Sequence, residues 1–215
     1  MEQSCAVTFS IVARDPETLA LGVAVSTAIP AVGSAVPHVE ADVGAIATQA
    51  NTNPAYGIEG LRLLKKHMTP EEALQEMLAR DKEKEKRQVI IIDAQGRTAA
   101  FTGNQTDDWK GHHIRTNYIT AGNLVVGKNV IEAMAYTFED QKGNLADRLL
   151  KALQAGQNAG GDKRGCMSAA LKVTDRRWRD TGRPLLDLRV DAHPEPVKEL
   201  LRVYMVSRRY FNIPE

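Results

Sequence analysis

Thr8-Phe9-Ser10-Ile11-Val12-Ala13-Arg14-Asp15, followed after a short link by Leu21-Gly22-Val23-Ala24-Val25-Ser26, is the stretch whose reading decides the fold. Strand side chains alternate between faces, so Thr8 and Ser10 fall on one side of the first run and Phe9, Ile11 and Ala13 on the other. Asp15-Pro16-Glu17-Thr18 has turn composition, and the two runs read as neighbouring strands. A hydroxyl at the start of an internal strand, this close to the N-terminus, has one special chemical option. If Thr8 is the first residue of the mature chain, its own α-amine can act as its general base. That amine has a reference pKa of about 7.7–8.0, so much of it is unprotonated near neutral pH.

Working outward, 215 residues suit one domain, and 43% hydrophobic residues suffice for a full core. With 28 basic and 27 acidic residues the net charge of +1 gives no general drive toward nucleic acid or membrane. Cys5 and Cys166 are the two cysteines, which fits reduced thiols better than a disulfide scaffold. Met1 to Cys5 has no basic n-region and no apolar segment follows it, so a signal peptide is not expected. A soluble, cytoplasmic protein without membrane spans is the expectation.

Strands are expected at Thr8–Ala13, Leu19–Ser26 and Gly44–Gln49, the link before the last, with Pro30, Gly33 and Pro37, being a shaped loop or an irregular strand. Ile58, Leu61 and Leu64 mark a helix, and Thr69-Pro70-Glu71-Glu72 opens another with a capping box. Asp81 to Arg87 reads as a solvated turn. A hairpin over Gln88–Ile92 and Arg97–Thr102 turns on Gly96, and a short strand near Tyr118–Ala121 follows. Helices are expected around Ile131 to Phe138, from Asn144 to Leu153, and after Pro194; strands at Met167–Val173 and Leu186–Val190 separate them. Paired strands between paired helices fit two antiparallel sheets packed together and covered by helices. A doubly wound parallel sheet would need regular strand–helix alternation, which is absent.

This chain closely resembles an uncharacterised bacterial and archaeal family, domain of unknown function ten-twenty-eight, of the N-terminal-nucleophile (Ntn) hydrolase superfamily. The resemblance rests on Thr8 to Asp15, Gly22-Val23-Ala24, Ala47-Thr48-Gln49-Ala50-Asn51, Arg87-Gln88-Val89 and Thr102-Gly103. Ala159 to Gly165, Ser168-Ala169-Ala170 and Leu188-Arg189-Val190-Asp191 extend it over nearly the whole chain. It implies an α+β fold, a four-layer αββα sandwich, in one domain over 1–215 with residues 1–7 as an N-terminal extension. In that family the chain often begins at the position of Thr8, directly after the initiator Met. Here seven residues precede it, so Ntn chemistry requires their removal.

Each candidate residue has two readings. Thr8 is a nucleophile by fold position or an ordinary first strand residue; Ser10 shares its face and could orient it or a substrate. Asn51 and Asn53, in the loop from third strand to first helix, suit an oxyanion site or form local turns. Ser26, Asp15, Asp162 and Arg164 are candidate substrate contacts. Against that, Asp15 starts a turn, and an Asp162–Arg164 pair fixes its Gly-rich loop, which does not match a phosphate loop. Asp191 and His193 are better helix caps than bases. Asp107, Asp108, His112 and His113 match no recognised metal spacing, so no metal or organic cofactor is expected. Arg176 to Arg183 around Trp178 reads as a solvated hairpin rather than a nucleic-acid contact.

The expected function is an Ntn-type amidohydrolase cleaving a small amide or peptide-like bond, with Thr8 attacking from an open cleft beside Asn51 or Asn53. The alternative is a non-catalytic binding or structural protein on the same sandwich. The expected assembly is a homodimer.

Overall fold

In a computed structural model, which describes residues 8–210, the first quoted stretch is a strand at the heart of a sheet. Cys5 and the extension 1–7 lie outside the described residues. The strands are β1 (Thr8–Arg14), β2 (Leu21–Thr27), β3 (Pro37–Glu40), β4 (Gly44–Ala50), β5 (Arg87–Asp93), β6 (Thr98–Thr102), β7 (Gly111–Arg115), β8 (Tyr118–Asn123), β9 (Ser168–Thr174) and β10 (Leu186–Val190). The helices are α1 (Ala55–Lys65), α2 (Pro70–Arg80), α3 (Asn129–Asp140), α4 (Leu145–Asn158) and α5 (Pro196–Tyr210). Six strands form one sheet in the order β10-β9-β2-β1-β8-β7, and four form a second, β3-β4-β5-β6. Each ladder is antiparallel, which excludes the doubly wound parallel alternative.

Alternation along each strand sorts the apolar residues into three clusters. Phe9, Ile11 and Ala13 of β1 pack with Met134, Phe138, Leu149, Leu153, Leu200 and Tyr204 of α3, α4 and α5. On the opposite face Val12, Leu21, Val23 and Val25 meet Ala45, Ala47, Ile90 and Ile92 of the smaller sheet. The outer side of that sheet, with Ile46, Val89 and Ile91, is covered by Leu61, Leu64, Leu74 and Met77 of α1 and α2. The fold is therefore α+β, with two antiparallel sheets and helices against each.

Local signals explain the boundaries. Thr69 accepts from the Glu72 N–H while the Glu72 carboxylate accepts from the Thr69 N–H, so the capping box opens α2 as expected. Asn144 caps α4 in the same sense, accepting from Asp147 N–H. His193 Nδ1 accepts from the Glu195 N–H just before α5, while Asp191 pairs with Arg189. Two expectations need correction. β7 was not anticipated, while β3 is the irregular-strand alternative for the link after β2; both are edge strands, where neither face is deeply buried and alternation is weak. Asp81 to Arg87 is no mere solvated turn, because Arg87 is buried against Asp81. The link between antiparallel β9 and β10 is the exposed hairpin connection expected, with residues 176–181 in a 3-10 helix whose Arg176 and Arg179 pair with Asp42 and Arg177 with Asp175.

Candidate functional site

The space between the sheets changes character toward one end. On β1 the inward row runs Val12, Ser10, Thr8; on β2, Leu21, Val23, Val25, Thr27; on β8, Ile119, Ala121, Asn123. Across from them β4 presents Ala45, Ala47, Gln49, and β5 presents Ile92, Ile90, Gln88. Five strands thus end their apolar inward rows in a hydroxyl or an amide, and Thr8, Thr27, Gln49, Gln88 and Asn123 are all buried. Buried polar groups are costly unless they are hydrogen-bonded, so the bonds among them decide the arrangement.

Thr8 Oγ1 lies 3.2 Å from Thr27 Oγ1, its ladder partner. Ser10 donates to Gln49 Oε1 at 2.6 Å. Gln49 Nε2 donates to Gln88 Oε1 at 2.7 Å, and Asn123 Nδ2 donates to the same oxygen at 3.1 Å. Both nitrogens also face the Thr8 carbonyl oxygen, each at 3.5 Å. Gln88 Nε2 reaches Thr102 Oγ1 and the carbonyls of Gly111 and Gly122 at 2.9–3.0 Å. Ala50 and Leu124, the residues directly after Gln49 and Asn123, have φ of 70° and 53°. Non-glycine residues in this left-handed region cost about 1–2 kcal/mol each, so the chain turns sharply at both places against its preference.

The expected site residues divide on this framework. Thr8 and Ser10 share the polar end, as their common face requires. Thr8, whose hydroxyl was expected to be open, is only 1% exposed as a residue. Asn51 stays at this end, fixed through its backbone to Lys86 O and the Arg87 guanidinium. Asn53 lies across the smaller sheet. Its carbonyl accepts from the outward Thr48 hydroxyl, its Oδ1 accepts from Ala55 N–H, and it lines a cavity of about 240 Å³ with Tyr56 and Met77. Ser26 faces the helical side and donates to Ser168 O. Asp15 closes the far end of β1, ~23 Å from Thr8 at strand rise, where its carboxylate accepts from Glu17 and Thr18 N–H.

Asp162 is buried beside the polar end. Its carboxylate accepts from Ala28 N–H, one residue past Thr27, and from Arg164 N–H; Arg164 Nε lies 3.7 Å away. Burial raises its carboxyl above the ordinary value despite these bonds and the nearby guanidinium. Cys166 sits next to it, half-buried and free, with its thiol likewise pushed up by burial, which disfavours the reactive thiolate. Among the described residues no group of three or more His, Cys, Asp or Glu is placed to hold a metal ion. None of their helices is long and apolar enough to cross a membrane.

Thr27, Gln49, Gln88 and Asn123 were not named as site candidates from the sequence. Gln49 and Gln88 already end expected strands as polar residues in apolar rows, and carrying the alternation one inward position past Val25 and Ala121 reaches Thr27 and Asn123.

No curated protein matches this sequence. A crystal structure of protein SPO2555 from Silicibacter pomeroyi is similar over 94% of this chain and 89% of that one, with 34% identity and a TM-score of 0.86. Anbu, the ancestral β-subunit from Yersinia bercovieri, shows 11% identity over 96% of this chain and 98% of that one; its TM-score of 0.38 is too low to support an inference. The model of DUF1028, described as a family of unknown function, matches residues 8–200, and the Silicibacter pomeroyi protein carries the same family assignment. By this match and that relative, the chain belongs to the DUF1028 family.

Proposed function

We propose that this protein is an Ntn-type amidohydrolase on a four-layer αββα sandwich, acting on a small amide or peptide-like bond once Thr8 is its first residue. One observation carries the reading. Thr8 is at once the first residue of the family match and the first residue of the central strand, with its hydroxyl turned into the polar end between the sheets. In this scheme the Thr8 hydroxyl attacks the carbonyl carbon and its freed α-amine takes the proton. The tetrahedral oxyanion is held by the side-chain amide of Asn51, whose backbone N–H is already bonded to Lys86 O. Asn53, on the outer side of the smaller sheet, drops out of the scheme. The loop of Asp162 and Arg164, tied to Ala28, borders the site and contacts substrate. No metal or organic cofactor is required.

A second reading, a binding or structural protein without catalysis, is favoured by the burial of the Thr8 hydroxyl against Thr27. One experiment separates the two. A chain begun at Thr8, its N-terminus verified by intact mass, is exposed to a β-lactone or epoxyketone electrophile. The expected result is one adduct on Thr8, absent in Thr8→Ala, forming faster as pH rises through about 7.7–8.0, because the general base must be the neutral amine. No adduct, together with no turnover across a broad amide panel, leaves the second reading.

A further inference from the structure

We infer that Gln88 is a positioning residue for Thr8, setting the side-chain hydrogen bonding of the Thr8 carbonyl through Gln49 and Asn123; its bearing on reactivity rests on the hydrolase reading above. The donor and acceptor inventory leads there. Ser10 has one hydrogen and gives it to Gln49 Oε1, so the other end of the Gln49 amide is its NH2 group. That group, and the NH2 of Asn123, each have two hydrogens. One goes to Gln88 Oε1, at 2.7 and 3.1 Å; the other faces the Thr8 carbonyl at 3.5 Å. The shorter bonds set where the two nitrogens sit, and Thr8 receives what remains.

Gln88 in turn has no freedom to rotate its amide. Its nitrogen is surrounded by Thr102 Oγ1, Gly111 O and Gly122 O, and the two carbonyls only accept. Flipping the amide would put an oxygen against two carbonyl oxygens and an NH2 against two NH2 groups. One side chain of the smaller sheet therefore places the two side-chain amides that face the first peptide in the central strand of the larger one. Gln88 touches neither the Thr8 hydroxyl nor its nitrogen among the bonds described, so its role is exerted through its two neighbours.

The test reads the Thr8 carbonyl directly. Labelling threonine carbonyl carbons with ¹³C and phenylalanine nitrogens with ¹⁵N selects the Thr-Phe peptides of the full chain, Thr8–Phe9 and Thr137–Phe138. The latter, in α3, is the internal control. In Gln88→Met the Thr8 carbonyl signal should move and the Thr137 signal stay. In Gln88→Glu the neutral acid keeps the accepting oxygen and offers an O–H where the amide offered N–H. The Thr8 signal should then be native at low pH and move as the acid ionises beside the Gly111 and Gly122 carbonyls. If Gln88→Met does not fold, the Gln88→Glu titration decides alone.

A Thr8 signal unmoved in the folded Met variant, or unmoved across the Glu titration, overturns the proposal. On chains begun at Thr8, the ratio of Gln88→Glu to native adduct formation should fall roughly tenfold or more over the same titration; a flat ratio overturns the link to reactivity. If the native chain forms no adduct while the Thr8 carbonyl still titrates, the hydrolase reading fails and the positioning role stands.

Discussion

Arg87 and Gln88 are consecutive, so strand alternation sends them to opposite faces of β5 and gives them different work. Gln88 faces the larger sheet. Arg87 turns outward and is 7% exposed, donating to Asp81 Oδ2 at 2.9 Å, to Asn51 O at 2.7 Å and to Glu83 at 3.3 Å. Tyr56 adds its hydroxyl to Asp81, and its own ionisation is suppressed by burial and by that carboxylate. Burial alone would raise Asp81, but the bonds from Arg87, the Glu83 N–H and Tyr56 outweigh it and hold the carboxyl below its usual value. A lowered folded-state value means stability that is present above the unfolded pKa of about 3.9 and lost as pH falls through the folded one. Arg87→Met should destabilise by about 3 kcal/mol at pH 7, because a charge partly buried loses its partner. It should also flatten the acid limb, seen as urea midpoints measured from pH 7 to pH 3. An unchanged limb would show that Asp81 is not its source.

At the scale of elements, α1 can lie against β3 only because residue 57 is glycine. A Cβ there would fall 2.1 Å from Nδ1 of His38, which lies 3.3 Å from Val36 O. Since the carbonyl only accepts, Nδ1 is the protonated nitrogen. Gly57→Ala should cost about 1–3 kcal/mol by overpacking, even though alanine is the better helix former. In a double-mutant cycle His38→Ala should relieve most of that cost, and simple additivity would mean that the clash is absorbed elsewhere. The elements with strong local chemistry were legible in the sequence: the capping box at Thr69, the hairpin at Gly96 with its φ of 82°, the periodic helices. β3 opens on Pro37, and the apolar Ile114 of β7 is 44% exposed, so neither strand carries the buried alternation that marks β1 or β5.

For the molecule as a whole, strand alternation placed Thr8 on the face it shares with Ser10 but said nothing of its company, because Gln49, Gln88 and Asn123 lie 41, 80 and 115 positions away and meet it only through sheet packing. Asn53 illustrates the reverse: close to Asn51 in sequence, it is turned to the other side of β4. A twofold dimer remains the expected assembly, and light scattering at micromolar concentration checks it; monomer alone would refute it. Strand β1 is bonded to β2 on one side and β8 on the other along nearly its whole length, starting at Thr8 itself. Segments paired on both edges and packed on both faces open only when the whole domain does. If Thr8 is the reacting residue, then reactivity and cooperative unfolding belong to one thermodynamic unit. On heating, the protein's activity would fall in step with the folded fraction, each molecule that remains folded keeping its full reactivity.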